Sequence, residues 1–166
     1  MEPHTLIEMA KEIIDTHISE IHSLFHMCIE VSRLGKGLKE AHYHAALCQE
    51  LQEKQIQYTC EEAMPVMYKG VPLGGGLSMR LDICLRTFLP AILELKAIKE
   101  KLGNEHYWQV LRYMDYKKLP LGVLINYSQS EKGQLDVKFV VRVEKSAFLY
   151  DHRTELMTPI DDPAYT

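Results

Sequence analysis

Three residues near the middle of the chain have the types and the spacing to do chemistry together: Asp82, Glu94 and Lys96. They lie in the stretch MRLDICLRTFLPAILELKA, residues 79–97, which reads as two short strands joined by a turn around Arg86–Pro90. In an extended chain, side chains two apart share a face. Arg80, Asp82 and Cys84 therefore oppose Leu81, Ile83 and Leu85, while Ile92, Glu94 and Lys96 oppose Leu93, Leu95 and Ala97. Each strand packs one face fully and sets charge among the residues of the other. As neighbours in a sheet, the two strands would bring Asp82, Glu94 and Lys96 to one spot. Carboxylates that close repel one another and tolerate it best around a divalent cation, and hard oxygen donors suit Mg²⁺ or Mn²⁺. A lysine beside them orients a water and offsets charge on a phosphate oxygen, which completes the minimum set for metal-assisted phosphodiester hydrolysis. The plain alternative is an exposed Glu94–Lys96 ion pair, worth under about 1 kcal/mol.

The surrounding chain supplies elements to position these residues. From Thr5 to Leu34 apolar residues recur at helical spacing, as one long helix or two joined near His17–Ser19, and Gly35 and Gly37 end the pattern. A further helix is predicted over Leu38–Lys54. Beyond Cys60, Pro65, Gly70, Pro72 and Gly74–Gly76 break the chain into short apolar pieces typical of a β-hairpin region. Strands are predicted at Met79–Leu85, Ala91–Ile98 and Leu121–Tyr127, with a helix over Glu105–Lys117. The alternation of Leu135, Val137, Phe139, Val141 and Val143 with Asp136, Lys138, Arg142 and Glu144 predicts a half-exposed strand. From Ser146 the chain is polar and holds Pro159 and Pro163, as a loose arm would. The order predicts one α/β (α+β) domain over residues 1–145 and a polar tail over 146–166.

Several segments, taken in order, resemble a known family. Gly37-Leu38-Lys39-Glu40-Ala41-His42-Tyr43 matches the motif GxxExxY. It follows the helix segment CIEVSRLGKGLKE and precedes YKGVPLGGG, LDI, LELKAI, HYWQVLRYM and LGVLINY. Together, over about Ile21–Ser128, these resemble the GxxExxY branch of the PD-(D/E)XK nuclease superfamily. The resemblance implies a restriction-endonuclease-like core, a central mixed β-sheet flanked by helices, here behind a long N-terminal helical segment. It implies that Asp82 and Glu94 bind Mg²⁺ or Mn²⁺, with the Leu95 backbone carbonyl as a further ligand. Glu40 would reach the same metal directly or through water. Lys96 would orient the attacking water, and Gln109 would align substrate or water, with Tyr113 one turn on. Tyr43 serves packing or catalysis. Two positions depart from the branch pattern: Ser32 stands where a histidine is usual, and Met79-Arg80-Leu81-Asp82 replaces an aromatic-Arg-Ala-Asp run. Neither removes a ligand.

The function implied is metal-dependent hydrolysis of DNA phosphodiester bonds by a metal-activated water. The alternative is an inactive nuclease-like fold serving as a protein- or nucleic-acid-binding scaffold. The net charge of −4 excludes a globally basic nucleic-acid binder. Yet residues 86–118 hold seven Lys/Arg against four Asp/Glu, whereas residues 1–64 hold five against eleven. On charge alone this asymmetry needs no partner; the resemblance implies that Arg86, Lys99, Arg112 and Lys117 in the basic stretch, with Tyr113, contact nucleic acid, DNA more than RNA. The acidic half and the N-terminal helices would face a protein partner or a second copy of the chain. The N-terminus mixes acids with apolar residues, unlike a secretory signal, and no apolar run approaches the roughly 20 residues that span a membrane. Four cysteines without CxxC spacing read as free thiols, and an intracellular location, cytoplasmic or nuclear, is expected. His22 and His26 read as packed or solvated, and Gly74–Gly76 as a hairpin connection without a phosphate-binding Lys-Ser/Thr. His42 and His44 lie about 200° apart around a helix and cannot both face one metal, with His42 a candidate to approach Glu40 against the plainer reading that it does not. Trp108 with Tyr107, Tyr113 and Tyr116 are candidates for stacking on bases, and at least two of these aromatics are expected to belong to the core.

Overall fold

The computed structural model describes residues 2–165. The N-terminal helical pattern resolves into α1 (Pro3–Thr16) and α2 (Ile18–Ser32), which part at His17. Thr16 turns its hydroxyl back to the Glu12 carbonyl there, the local competition that disfavours threonine inside helices. Gly35 and Gly37 follow α2 at φ of 80° and 91°, a left-handed conformation that glycine adopts without strain, and α3 (Glu40–Glu53) begins beyond them.

The strands form one seven-stranded sheet. In chain order they are β1 (Tyr58–Met64), β4 (Met79–Leu85), β5 (Ala91–Lys96), β6 (Leu121–Asn126), β7 (Asp136–Val143), β8 (Ser146–Asp151) and β9 (Leu156–Ile160), and they lie in that same order across the sheet. Two further short strands, β2 (Met67–Tyr68) and β3 (Val71–Pro72), make a small separate hairpin between β1 and β4. Parallel pairing joins β5 to β6 alone, and α4 (Asn104–Lys117) makes the crossover that such a pair requires.

Every residue of β6 is buried, and all of β5 except Lys96. Such strands need cover on both faces. One face carries Ile83, Leu93, Leu95, Val123 and Ile125 against α1, α2 and α3. The other carries Cys84, Ile92, Leu124 and Val140 against α4. This is a mixed sheet flanked by helices, the α/β restriction-endonuclease-like arrangement. Gly122 lets α4 settle close onto β6, since a β-carbon there would run into Val110 and Met114.

The segment from Ser146 is not a loose arm. It supplies two strands of the sheet, β8 paired with β7 and β9 with β8. The turn Glu144–Lys145, with Glu144 at φ 55°, closes the hairpin, and Ala147, Phe148 and Tyr150 are buried. Prolines and charges hid the pattern: Pro159 is accommodated in a terminal strand with no outer neighbour, where a missing N–H is harmless. All four cysteines are free. Among the described residues no helix is long and apolar enough to cross a membrane.

Candidate metal centre

The site arises where two strands part. β4 and β5 pair at Ile83–Leu93, Cys84–Ile92 and Leu85–Ala91, and the ladder ends before Asp82 and Glu94. β4 stays with β1 on both sides of Asp82, from Leu85 to Met79, so a fork opens between β4 and β5. Asp82 holds the fork: its Oδ2 accepts the Leu95 N–H at 2.8 Å, in place of the next backbone partner. Glu40, the first residue of α3, enters from outside the sheet. Single carboxylate oxygens of Glu40, Asp82 and Glu94 lie within 4.8 Å of one another, and exposure falls from Glu40 through half-buried Asp82 to buried Glu94.

The electrostatics of this triad are unfavourable without a cation. Burial, and then the charge of Asp82, pushes the Glu94 carboxyl up to about 8 despite the nearby Lys96 ammonium. Burial and Asp82 also raise Glu40. Glu94 Oε2 is buried without a hydrogen-bond partner among the described residues. A buried acceptor left unpaired is costly, and three carboxylates around it form a donor set suited to a hard divalent ion. The residues present therefore fit a metal. The Leu95 carbonyl is also well directed. Lys96 O accepts the N–H of Tyr127, just past β6, at 2.9 Å, so strand alternation turns the preceding carbonyl towards β4.

Lys96 is not an exposed ion-pair partner, and the plain alternative for Glu94–Lys96 fails on that point. The two side chains are 5% and 19% exposed, with Nζ 3.6 Å from Glu94 Oε1. Nζ also donates to Gln109 Oε1 at 3.2 Å, and Gln109 Nε2 donates to Tyr113 Oη at 3.2 Å. The ammonium is thus held between a carboxylate and an amide, at the rim of the acid cluster.

A family model for the PD-(D/E)XK nuclease superfamily matches residues 19–139, most of the chain. The chain belongs to that superfamily. No curated protein and no solved structure matches it. PD-(D/E)XK nucleases use divalent metals, and the acidic cluster of Glu40, Asp82 and Glu94 is where this member has the ligands to hold one.

The nuclease elements also show what else surrounds the centre. His44 lies one turn after Glu40 on the same face of α3, and its Nε2 is 3.2 Å from the Asp82 carbonyl oxygen. His42 instead points away and accepts the Lys39 N–H at the start of α3, so the histidine near the site is His44. The i, i+4 spacing from Glu40 was the available signal. Tyr43 is packing: it stacks on Tyr127 at 4.5 Å and donates to the Gly35 carbonyl. Gln129 accepts the Gly37 N–H and donates to Tyr43 Oη, tying the glycine loop before α3 to the segment after β6. That tie lies three residues before Glu40, the first residue of α3.

The expected nucleic-acid contacts divide. Tyr113 is buried, with its hydroxyl engaged by Gln109, and cannot stack on a base. Lys117 is paired with Glu62 on β1. Eight residues on from Gln109, it lies about 12 Å further along α4 at helical rise. Arg86 is exposed, but four residues past Asp82 along an extended strand puts it about 13 Å away. Lys99 is exposed just past the end of β5, and Arg112 is exposed on α4 one turn from Gln109. Tyr107 is buried, whereas Trp108 and Tyr116 are exposed.

Proposed function

We propose that the chain is an Mg²⁺- or Mn²⁺-dependent deoxyribonuclease of the GxxExxY branch. The observation that carries this reading is the buried, unpartnered Glu94 Oε2 within the Glu40–Asp82–Glu94 cluster, with Lys96 beside it. Asp82, Glu94, the Leu95 carbonyl and Glu40 would hold the ion. A cation held there would supply positive charge to the phosphate and make a bound water more acidic.

The protein groups do the positioning. Asp82 keeps the fork open through its bond to the Leu95 N–H and so sets its carboxylate against Glu94. Lys96 Nζ, fixed between Glu94 Oε1 and Gln109 Oε1, has a remaining N–H to orient water or meet a phosphate oxygen. Gln109 fixes that ammonium through its carbonyl, while Tyr113 fixes Gln109. Removing any of these loosens the geometry by fractions of an ångström, which is enough to slow a positioned reaction.

The test is cleavage of single-stranded, duplex and flapped DNA by the purified protein, in Mg²⁺ or Mn²⁺ and in excess EDTA, beside Lys96→Ala. Cutting that needs the metal and disappears in the variant supports the assignment. Cutting that survives EDTA refutes the metal mechanism, and no cutting on any substrate leaves a nuclease fold used as a scaffold.

A further inference from the structure

A groove of about 860 Å³ runs between the arm that links β1 to β4 and the outer face of α4. One wall is Met64, Val66 and Met67 on the arm, with Met79 at the start of β4. The opposite wall is a helical stripe at three- and four-residue spacing, Trp108, Gln109, Arg112 and Tyr116. Its apolar surface is open to solvent: Met67 is 54% exposed, Tyr116 47% and Trp108 36%.

The groove meets the metal centre at Gln109, which lines it and also accepts the hydrogen bond from Lys96 Nζ. Among the described residues, its charges leave Arg112 as the one cation open to a ligand. Asp115 and Asp162 share a single guanidinium, Arg142, at 2.8 and 2.9 Å, which ties both carboxylates down and leaves that cluster one net negative charge. The Glu105 side chain projects into solvent, 81% exposed. Arg112 is exposed and has no ion-pair or hydrogen-bond partner among the described residues. The Trp108 ring is held in place by its Nε1 donating to the Asp161 carbonyl at 2.8 Å, a fixed aromatic face beside a free guanidinium.

We propose that this groove seats an unpaired nucleic-acid strand entering the active site. The proposal rests on the nuclease reading above and names the form of its substrate. Bases lie against Trp108 and the methionine wall, a phosphate meets Arg112, and the strand passes Gln109 to reach Lys96. Aromatic faces with few cations suit splayed bases, which every sequence presents. A duplex hides its bases and is gripped by many phosphate contacts over some 1,000 Å² or more, which one free arginine does not provide.

Trp108 is the only tryptophan in the sequence, so its emission reports on the groove directly. The experiment titrates an unlabelled thymidine oligomer, and separately a blunt duplex, into the Lys96→Ala protein in Mg²⁺, and repeats both with the wild-type chain in EDTA. Saturable quenching by the oligomer but not the duplex is expected. Arg112→Ala should weaken oligomer binding about tenfold and reduce the slope of log affinity against log salt by about 0.7, one phosphate contact on a single strand. Equal quenching by the duplex, or an emission that moves with neither ligand, overturns the proposal. The nuclease reading is scored apart by wild-type cleavage in Mg²⁺. Cleavage with a silent Trp108 removes the groove and keeps the nuclease, whereas oligomer quenching without cleavage does the reverse.

Discussion

Replacing Glu94 by glutamine should stabilise the metal-free protein, and by an amount that depends on pH. Burial and the Asp82 charge move the carboxyl from an ordinary 4.5 to about 8 in the folded state. A displacement of that size corresponds to about 5 kcal/mol of disfavoured ionisation. The sign follows from linkage. The folded pKa lies above the unfolded one, so the neutral carboxyl leaves stability intact below about pH 4.5, and stability falls as pH rises towards about 8. Glutamine has the same shape and does not ionise. Its amide nitrogen can meet the Asp82 or Glu40 carboxylate, but an N–H left unpaired beside Lys96 costs about 1–3 kcal/mol at every pH, an offset without slope. The difference in unfolding free energy between Glu94→Gln and wild type in EDTA should therefore climb by up to about 1.4 kcal/mol per pH unit between pH 5 and 8, then level off. The net gain at pH 9 should be about 2–4 kcal/mol, measured by urea unfolding with the m-value checked for constancy. Saturating Mn²⁺ should reverse the order, since a ligand bound only by the folded wild type adds stability with concentration. A difference that is flat with pH would refute the claim that a buried, unpartnered Glu94 charge dominates this site.

Three further outcomes are expected. Asp82→Asn keeps an acceptor for the Leu95 N–H but loses charge, so the fold should persist while Mn²⁺ no longer raises the melting temperature; retained Mn²⁺ stabilisation would remove Asp82 from the ligand set. Gly122→Ala places a methyl group against Val110 and Met114 and should lower stability by about 1–3 kcal/mol in chemical denaturation, whereas an unchanged midpoint would deny the close approach of α4. Gln129→Ala removes the tie between the glycine loop and Tyr43 and should weaken Mn²⁺ binding several-fold in calorimetry; an unchanged affinity would show that Glu40 is positioned by α3 packing alone.

Much of the site was legible because it is local. Alternation placed Asp82 and Glu94 on charged faces of two strands, and those strands are neighbours, as expected. Helical periodicity located α2, α3 and α4, and the break at His17 fell within the predicted window. The C-terminal strands were missed because Ser146–Asp151 is only six residues long and flanked by charge, so its partner strand decides its conformation. Tyr113, expected beside Gln109 and among the nucleic-acid contacts, is beside Gln109 but faces the core with Tyr107, as at least two of the α4 aromatics were expected to do. Residues 86–118 mark a basic segment, but which aromatics on α4 face the sheet depends on where β6 lies, and Gly122 decides that. His44 was passed over because its relation to Asp82 spans 38 positions of chain.

The chain alone determined the residue types at the site, the Glu94–Lys96 spacing and the alternation that sets them apart from the core. These depend on the two-residue and 3.6-residue repeats of the backbone, which neighbouring residues impose. Tertiary structure decided how those groups interact. The end of the β4–β5 ladder opened the fork, α3 brought Glu40 to it, and packing from both sides buried Glu94 and left one of its oxygens unpaired. Burial raises the energy of a charge through the loss of water around it, and that loss is a property of the assembled fold rather than of any segment.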